Sequence, residues 1–305
     1  MIVYTDFNMK KDGFVGHMAE TADCDQSRGV IVIMGGEKGI LPGIKIAERF
    51  TDFGITGLAV SLFGADGLPK GPDQIPFEMI EAAVSFLKNK KHLESISLYG
   101  MSMGTIFAAL AGRYIDGIEN LILCSPTHVA FEGTPDKQHM TGHSVVTYRG
   151  CDIPFVRPDF SAGKMMKYIY DEKEKRKVTQ MWTAYRDAYL NKAAEKAADL
   201  HIEKTNARIL LIAGSGDEMW PSGYSVEYMK NRLDEHNYPK AYKSLIYPNA
   251  SHLIGVMPNK QRNKWLYRGL PVIGLMYKSF AANKEGCMKA LEASEKEVIN
   301  WILEN

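Results

Sequence analysis

The sequence predicts an α/β fold in which a mostly parallel central sheet carries helices on both faces. Short apolar runs recur along the chain and are separated by segments whose apolar residues follow a helical spacing. Near-continuous apolar runs are typical of strands buried on both faces of a parallel sheet. Strands that alternate with helices imply right-handed crossovers. With 305 residues, 45% of them apolar, the chain can bury a sizeable core.

Six apolar runs are predicted to be buried strands, and the first forty residues are predicted to hold two outer strands that precede them. The runs begin at Gly29, Thr56, Ser95, Glu119, Ala207 and Ala241. Helices are predicted after Pro76, over residues 104–115 and over about 284–303, where apolar residues fall on one side. Residues 126–200 break this alternation, because they combine a loop-like aromatic half with a charged helical half. We predict that they form a cap over the strand ends, inserted in a single domain that spans 1–305.

Composition excludes several classes of protein. The 37 Lys and Arg residues balance 36 Asp and Glu residues, whereas a nucleic-acid binder normally has a basic excess. The first twenty residues hold charged side chains and no long apolar run, and no uncharged apolar stretch of about 18 residues occurs, so we expect neither a signal peptide nor a membrane span. The four cysteines lack paired spacing, which favours a reducing compartment and no zinc site. We therefore predict a cytoplasmic protein without a metal or cofactor, and leave its oligomeric state open.

The segment Gly100-Met101-Ser102-Met103-Gly104 joins the strand at 95–99 to the helix at 104–115. It matches the G-x-S-x-G turn of α/β-hydrolases, in which a serine nucleophile is held between a strand and a helix. Side chains in place of Gly100 and Gly104 would collide with the neighbouring strand and helix. The N–H of Met103 would lie at the helix N-terminus and stabilise an oxyanion. The alternative is a serine that lies between two glycines by chance.

An acid and a histidine should follow the serine in chain order, each after a later strand. Asp217 and His252 occupy these two places, and Glu218 is the rival acid. The Asp217 carboxylate would hold the imidazole so that its other nitrogen takes the serine proton. Three other histidines lie in the predicted cap and four are predicted to be solvated: His128, His139 and His143, and then His17, His92, His201 and His236.

A second oxyanion donor is expected in the loop after the first buried strand, at the N–H of Gly36 or Glu37. The alternative for this loop is an ordinary glycine turn. We also predict that His128, Tyr148 and Phe155 contribute to a substrate pocket. Phe131 and Phe160 are further candidates for its wall, although packing under a long loop would explain these aromatic residues equally well.

The chain resembles the catalytic domain shared by acyl-CoA thioesterases and bile acid-CoA:amino acid N-acyltransferases. The resemblance runs from about residue 30 to 260 and is carried by the segments "GLAVSLFGADGLPKGPDQIPFEMIEAAVSFL", "LYGMSMG", "ENLILCSPTHVAFEG", "TYRGCDIPFVRPDF", "SGDEMWPS" and "YPNASHLI". It implies an α/β-hydrolase fold and acyl-CoA chemistry through an acyl-enzyme, with Ser102 as nucleophile, Asp217 as acid and His252 as base. Family members usually carry an N-terminal β-sandwich domain, whereas we expect this sequence to hold only the catalytic domain and about forty further residues. The amino-acid-transferring members have cysteine at the position of Ser102, so water is the acceptor that the serine implies.

The working hypothesis is a serine hydrolase that acts by acyl transfer on a small-molecule thioester, most simply an acyl-CoA thioesterase. A carboxylesterase or lactone hydrolase, an acyl-CoA:amine N-acyltransferase and a non-catalytic binding protein are the alternatives. Two basic clusters could bind the phosphates of CoA or could be solvated surfaces. They consist of Lys164, Lys167, Lys173, Lys175, Arg176 and Lys177, and of Lys260, Arg262, Lys264 and Arg268.

Overall fold

An eight-stranded sheet forms the centre of the protein in a computed structural model that describes residues 1–25, 27–36, 39–134, 140–173 and 175–304. The strand order is β1-β2-β4-β3-β5-β6-β7-β8. β2 pairs antiparallel with β1 and β4, and all other neighbours in the sheet are parallel. The strands are β1 (Val3–Phe7), β2 (Gly16–Glu20), β3 (Arg28–Ile33), β4 (Thr56–Val60), β5 (Ser95–Met101), β6 (Ile118–Cys124), β7 (Arg208–Gly214) and β8 (Tyr242–Tyr247). The predicted α/β class with a mostly parallel sheet is confirmed.

Helices cover both faces of this sheet and divide the core into two layers. Along β3, Ile31 and Ile33 join the layer that includes α3, α4 and α8, whereas Val30 and Val32 join the layer of α2 and α11. This alternation is expected of a strand whose successive side chains point to opposite faces. The helices are α1 (Met9–Asp12), α2 (Leu41–Thr51), α3 (Glu78–Ser85), α4 (Gly104–Tyr114), α5 (Ala162–Ile169), α6 (Trp182–Ala188), α7 (Lys192–Ala197), α8 (Ser222–Glu235), α9 (Lys264–Gly274), α10 (Lys278–Ala282) and α11 (Lys284–Leu303). A π-helix (Phe86–Lys90) continues α3, and a 3₁₀ helix (Ile202–Lys204) precedes β7.

One strand differs from its prediction. The run from Ala241 was predicted to be buried on both faces, but β8 is the last strand of the sheet and its side chains are exposed or only partly buried. An edge strand has a neighbour on one side only, so water reaches it even where its sequence is apolar. The prediction of complete burial was therefore wrong for this strand.

The chain between β6 and β7 is built from short elements. Ala130–Phe131 pairs in parallel with Phe155–Val156, and Val146–Tyr148 lies between Ile75–Pro76 and Cys151–Asp152. Tyr170–Asp171 pairs with Arg176–Lys177, and α5, α6 and α7 lie in the same segment. Among all the helices of the described residues, none combines the length and the apolar character that a membrane crossing needs.

Candidate active site

Ser102 lies in a strained turn between β5 and α4. Its φ angle of +58° is in the left-handed region, which residues other than glycine rarely adopt. Its N–H donates to the carbonyl of Cys124 at 3.0 Å, and its own carbonyl accepts from the N–H of Thr105 at 3.0 Å and from the Thr105 hydroxyl at 2.6 Å. The end of β6 and the first turn of α4 therefore hold the serine in this conformation.

The two glycines of the turn are required by close contacts. A Cβ atom on Gly100 would lie 2.9 Å from the Cβ of Ala108 and from the carbonyl oxygen of Gly104. A Cβ atom on Gly104 would overlap the carbonyl oxygen of Ile33, the last residue of β3. Both contacts are shorter than real Cβ atoms make, so only glycine allows strand and helix to approach this closely.

The three residues predicted as nucleophile, base and acid lie in one chain of hydrogen bonds. Nε2 of His252 is 2.9 Å from Oγ of Ser102, and Nδ1 of His252 is 2.8 Å from Oδ2 of Asp217. The side chains of His252 and Asp217 are almost fully buried. With the Nδ1 proton donated to the carboxylate, the lone pair on Nε2 faces the serine hydroxyl and can accept its proton.

The loop after β7 holds the Asp217 carboxylate in place. Oδ1 accepts from the backbone N–H groups of Met219 at 2.8 Å and Trp220 at 3.3 Å. Oδ2 accepts from the Ser222 hydroxyl at 2.6 Å, in addition to the histidine. These contacts fix the orientation of the carboxylate, which can then hold the imidazole and stabilise an imidazolium.

Two further residues position His252. The hydroxyl of Ser125 donates to the His252 carbonyl at 2.8 Å, while its own N–H donates to Ile212 of β7 at 2.7 Å. The indole ring of Trp220 lies edge-on to the imidazole with centroids 5.1 Å apart, and its Nε1 donates to the Ser125 carbonyl at 3.1 Å. The histidine loop is thus tied to the ends of β6 and β7.

Glu218, the rival acid, faces a different element. Its Oε1 accepts from the backbone N–H of Ser279 in α10. Its Oε2 is buried and has no hydrogen-bond partner among the described residues. Burial raises the pKa of this carboxyl group. The geometry therefore favours Asp217 over Glu218 as the group that orients His252.

A cavity of about 310 Å³ opens at Ser102. Gly36 and Met103, two of the predicted oxyanion donors, lie on its wall beside the serine, whereas Glu37 lies outside the described residues. Most of the wall is apolar. It is formed by Gly36, Pro72, Ser102, Met103, Phe131, Glu132, Thr134, Met140, Val145, Phe160, Met165, Ile169, Met181, Tyr185, Met219 and Trp220.

The structure corrects the predicted pocket residues, because none of the three lies on this wall. His128 is completely buried between α7 and α8. Tyr148 donates to Glu81 at 2.9 Å, and Phe155 lies under the guanidinium of Arg157. Of the other candidates, His139 lies outside the described residues, and Phe131 and Phe160 do line the cavity. The predicted wall was wrong because the chain between β6 and β7 has no regular spacing that shows which side chains point inward.

Several cations of the two basic clusters have partners within the protein. Lys164 pairs with Asp159 at 2.6 Å, Arg176 donates to the Leu275 carbonyl, and Arg262 pairs with Asp52 at 2.6 Å. Lys260 lies over the ring of Tyr267. These contacts are the ones expected of a surface, and none of the cations is on the wall of the cavity.

The site includes residues that the sequence analysis did not identify. Ser125, Met219, Trp220 and Ser222 support the histidine and the acid. Their positions in the sequence could have identified them, because Ser125 directly follows β6 and the other three follow Asp217 within five residues. Residues at the carboxyl ends of parallel strands gather at one edge of the sheet, where ligands bind.

Comparison with known proteins finds one matching family model and several similar curated proteins. The model of the family described as "BAAT / Acyl-CoA thioester hydrolase C terminal" matches residues 75–259. Acyl-coenzyme A thioesterase 1 of Mus musculus is 23% identical over 228 residues, which cover 74% of this chain and 48% of that protein. Acyl-coenzyme A amino acid N-acyltransferase 2 of Mus musculus is 24% identical over 214 residues, which cover 68% and 45%. This chain therefore spans about half the length of the curated relatives that it matches.

The fold is also similar to solved structures. An α/β-hydrolase enzyme from a Medee basin deep-sea metagenome library superimposes with a TM-score of 0.53 at 12% identity. The superposition covers 100% of this chain and 99% of that one. At this identity the likeness concerns the fold alone, and it confirms the predicted α/β-hydrolase fold.

Proposed function

The chain belongs to the family described as BAAT / Acyl-CoA thioester hydrolase C terminal, and on that premise we propose that it is a serine hydrolase that cleaves acyl-CoA thioesters. The observation that carries the proposal is the hydrogen-bonded chain from Ser102 through His252 to Asp217, which opens into a mostly apolar cavity. An apolar cavity at a nucleophile suits an acyl chain.

The first half of the proposed reaction forms an acyl-enzyme. Oγ of Ser102 attacks the thioester carbonyl while Nε2 of His252 takes its proton. The carbonyl oxygen becomes an oxyanion, which the N–H groups of Met103 and of Gly36 or Glu37 stabilise. When the tetrahedral intermediate collapses, the carbon–sulfur bond breaks and the imidazolium returns the proton to the departing thiolate. The acyl group is then an oxygen ester of the serine.

The second half of the reaction consumes water. His252 takes a proton from water, the resulting hydroxide attacks the ester, and Ser102 leaves with the proton that the imidazolium returns. His252 must be neutral at the start of each half, because a protonated imidazole has no lone pair with which to accept a proton. The products are a free acid and a thiol.

Transfer of the acyl group to an amine is a second candidate, favoured by the similarity to an N-acyltransferase. In that reaction an amine takes the place of water, and the product depends on the added acceptor. Mass spectrometry of the products with and without amino acids separates the two candidates. A free acid in both cases supports hydrolysis.

The decisive experiment measures thiol release from acyl-CoA esters of increasing chain length by the native protein and by Ser102→Ala. Loss of the nucleophile is expected to lower turnover by about six orders of magnitude. Ser85→Ala is a matched control, because Ser85 lies exposed on α3. Equal activity of the native protein and Ser102→Ala would refute the mechanism. Cleavage of p-nitrophenyl esters without thiol release would instead indicate a carboxylesterase.

A further inference from the structure

One carboxylate lies in the otherwise apolar wall of the cavity. Glu132 lines the cavity and has only 8% of its surface exposed. The other wall residues that carry a polar side-chain atom are Ser102, Thr134, Tyr185 and Trp220. A charged group in such a place is costly unless it has hydrogen-bond partners, so its presence in an acyl-binding cavity requires an explanation.

Within the described part of the chain, the Glu132 carboxylate has two polar contacts. Oε1 of Glu132 accepts from the N–H of Gly142 at 2.6 Å. Oε2 lies 3.9 Å from Nε of Arg157, whose side chain is 67% exposed, so this ion pair is long and weak. An ionised carboxylate has about four acceptor sites. The contacts among the described residues therefore use only part of the hydrogen-bonding capacity of the Glu132 carboxylate.

The backbone of Glu132 is fixed by its neighbours. Its N–H donates to the carbonyl of Val156 at 2.9 Å, and it forms a bridge with Ser144. The preceding strand, Ala130–Phe131, pairs with Phe155–Val156. A carboxylate on a fixed backbone can distinguish between ligands, because a poorly placed partner cannot draw it into a new position.

Two aromatic residues of the wall, Trp220 and Phe131, connect His252 to the residue that precedes Glu132. The indole of Trp220 contacts the imidazole of His252, and the ring of Phe131 lies 5.6 Å from that indole. Glu132 follows Phe131 in the chain. Among the described residues the Glu132 carboxylate has no hydrogen bond with Ser102 or His252, so its contact with the substrate is assigned to the acyl chain and not to the carbonyl.

On the basis of the function proposed above, we propose that Glu132 selects acyl groups that carry a hydrogen-bond donor, a hydroxyl or an ammonium group, at a carbon remote from the carbonyl. Such a donor would use the acceptor capacity that the contacts among the described residues leave on the carboxylate. An acyl chain that ends in a carboxylate is rejected by the like charge. An unsubstituted chain displaces water from the carboxylate without supplying a new hydrogen bond and is a poorer substrate.

The test compares acyl groups of equal length in the native protein, Glu132→Gln and Glu119→Gln. Unsubstituted, ω-hydroxy and ω-carboxy forms of butanoyl, hexanoyl and octanoyl groups are offered as CoA thioesters and p-nitrophenyl esters. Glutamine keeps an oxygen for the Gly142 N–H and removes the charge. Glu119 is an exposed residue of β6, so the same substitution there is a matched control. The ratio of kcat/KM values within one preparation does not depend on how much of it is folded.

We expect the native protein and Glu119→Gln to prefer the ω-hydroxy form by about ten-fold at one chain length, as a hydrogen bond to a charged group gives. In Glu132→Gln this preference is lost and the ω-carboxy form becomes a better substrate. Ratios that are the same in the native protein and Glu132→Gln at every chain length, with hydrolysis still dependent on Ser102, would overturn this proposal alone. Absence of Ser102-dependent hydrolysis with every acyl group would overturn both proposals.

Discussion

At the scale of single residues, two adjacent carboxylates differ in what they face. Asp217 accepts a hydrogen bond from His252 and two from its own loop. Glu218 accepts from the backbone of α10 through Ser279 and has no hydrogen bond with the imidazole among the described residues. The turn after β7 therefore points one side chain toward the histidine and the next toward a helix. A sequence in which two acids follow a strand does not reveal this difference.

The first prediction concerns this acid. Asp217→Asn is expected to lower kcat by about four orders of magnitude, because an amide favours the wrong imidazole tautomer. Glu218→Gln is the adjacent control and is expected to change kcat by less than about ten-fold. Steady-state kinetics on the best thioester or ester measures both. Equal losses in the two variants would show that Asp217 is not the orienting acid.

At the scale of elements, the junction of β5, α4 and β3 depends on how closely the backbones approach. Gly104 starts α4 against the carbonyl of Ile33, and Ser102 is held at a positive φ just before it. The strain at the serine persists because Cys124 and Thr105 bond its backbone from two sides. The position of Ser102 therefore depends on the packing of β3, β5 and α4 together.

The second prediction tests this junction. Gly104→Ala is expected to destabilise the protein by about 1–3 kcal/mol or more, because β3 must move to make room for the methyl group. Gly223→Ala in α8 is the control, since a Cβ there meets no atom within 4 Å. Alanine is the better helix former, so this control should be neutral or stabilising by up to about 1 kcal/mol. Urea unfolding measures both, and equal free energies of unfolding would contradict the close approach.

The elements that could be predicted from the sequence are those with a long or local signal. The apolar runs of β3–β7 and the 20-residue α11 extend far enough to show their periodicity, and the serine turn is defined by five consecutive residues.

The cavity wall could not be predicted in this way. Glu132 follows the two-residue strand Ala130–Phe131, whose partner Phe155–Val156 lies more than twenty residues away. So short a strand has no period, and its pairing is set by tertiary contacts. The sequence also did not show that β8 lies at the edge of the sheet, because the order of the strands is set by tertiary contacts.

At the scale of the whole molecule, a buried polar cluster ties the segment between β6 and β7 to the body of the protein. Nδ1 of His128 lies 3.0 Å from the Ser225 hydroxyl of α8, and Nε2 lies 3.1 Å from Oε1 of Glu195 in α7. Glu195 also accepts from Lys192 at 2.7 Å and from Tyr224 at 2.9 Å. His128 is therefore a structural residue that joins α7 to α8, and the segment over the cavity is anchored through it.

The charges of this cluster give stability a pH dependence of definite sign. Burial alone would raise the pKa of Glu195, but hydrogen bonds from His128, Lys192 and Tyr224 outweigh it and lower the pKa from 4.5 to about 2. The stability contributed by Glu195 is complete above about 4.5 and is lost as the pH falls toward 2. Burial also lowers the pKa of His128 below 6.5. The unfolded chain binds that proton first, so stability declines as the pH falls below 6.5.

The last prediction follows from these signs. Glu195→Gln is expected to lower the free energy of unfolding at neutral pH by about 1–3 kcal/mol, because His128, Lys192 and Tyr224 lose a charged partner. The difference from the native protein should shrink as the pH falls from 4.5 toward 2, where Glu195 itself becomes protonated. Urea unfolding at a series of pH values measures this, with Glu119→Gln as the exposed control. A difference that stays constant with pH would mean that packing, and not the charge of Glu195, anchors α7 to the body. Because α7 lies in the segment that supplies much of the cavity wall, loss of the anchor should also raise KM more than it lowers kcat.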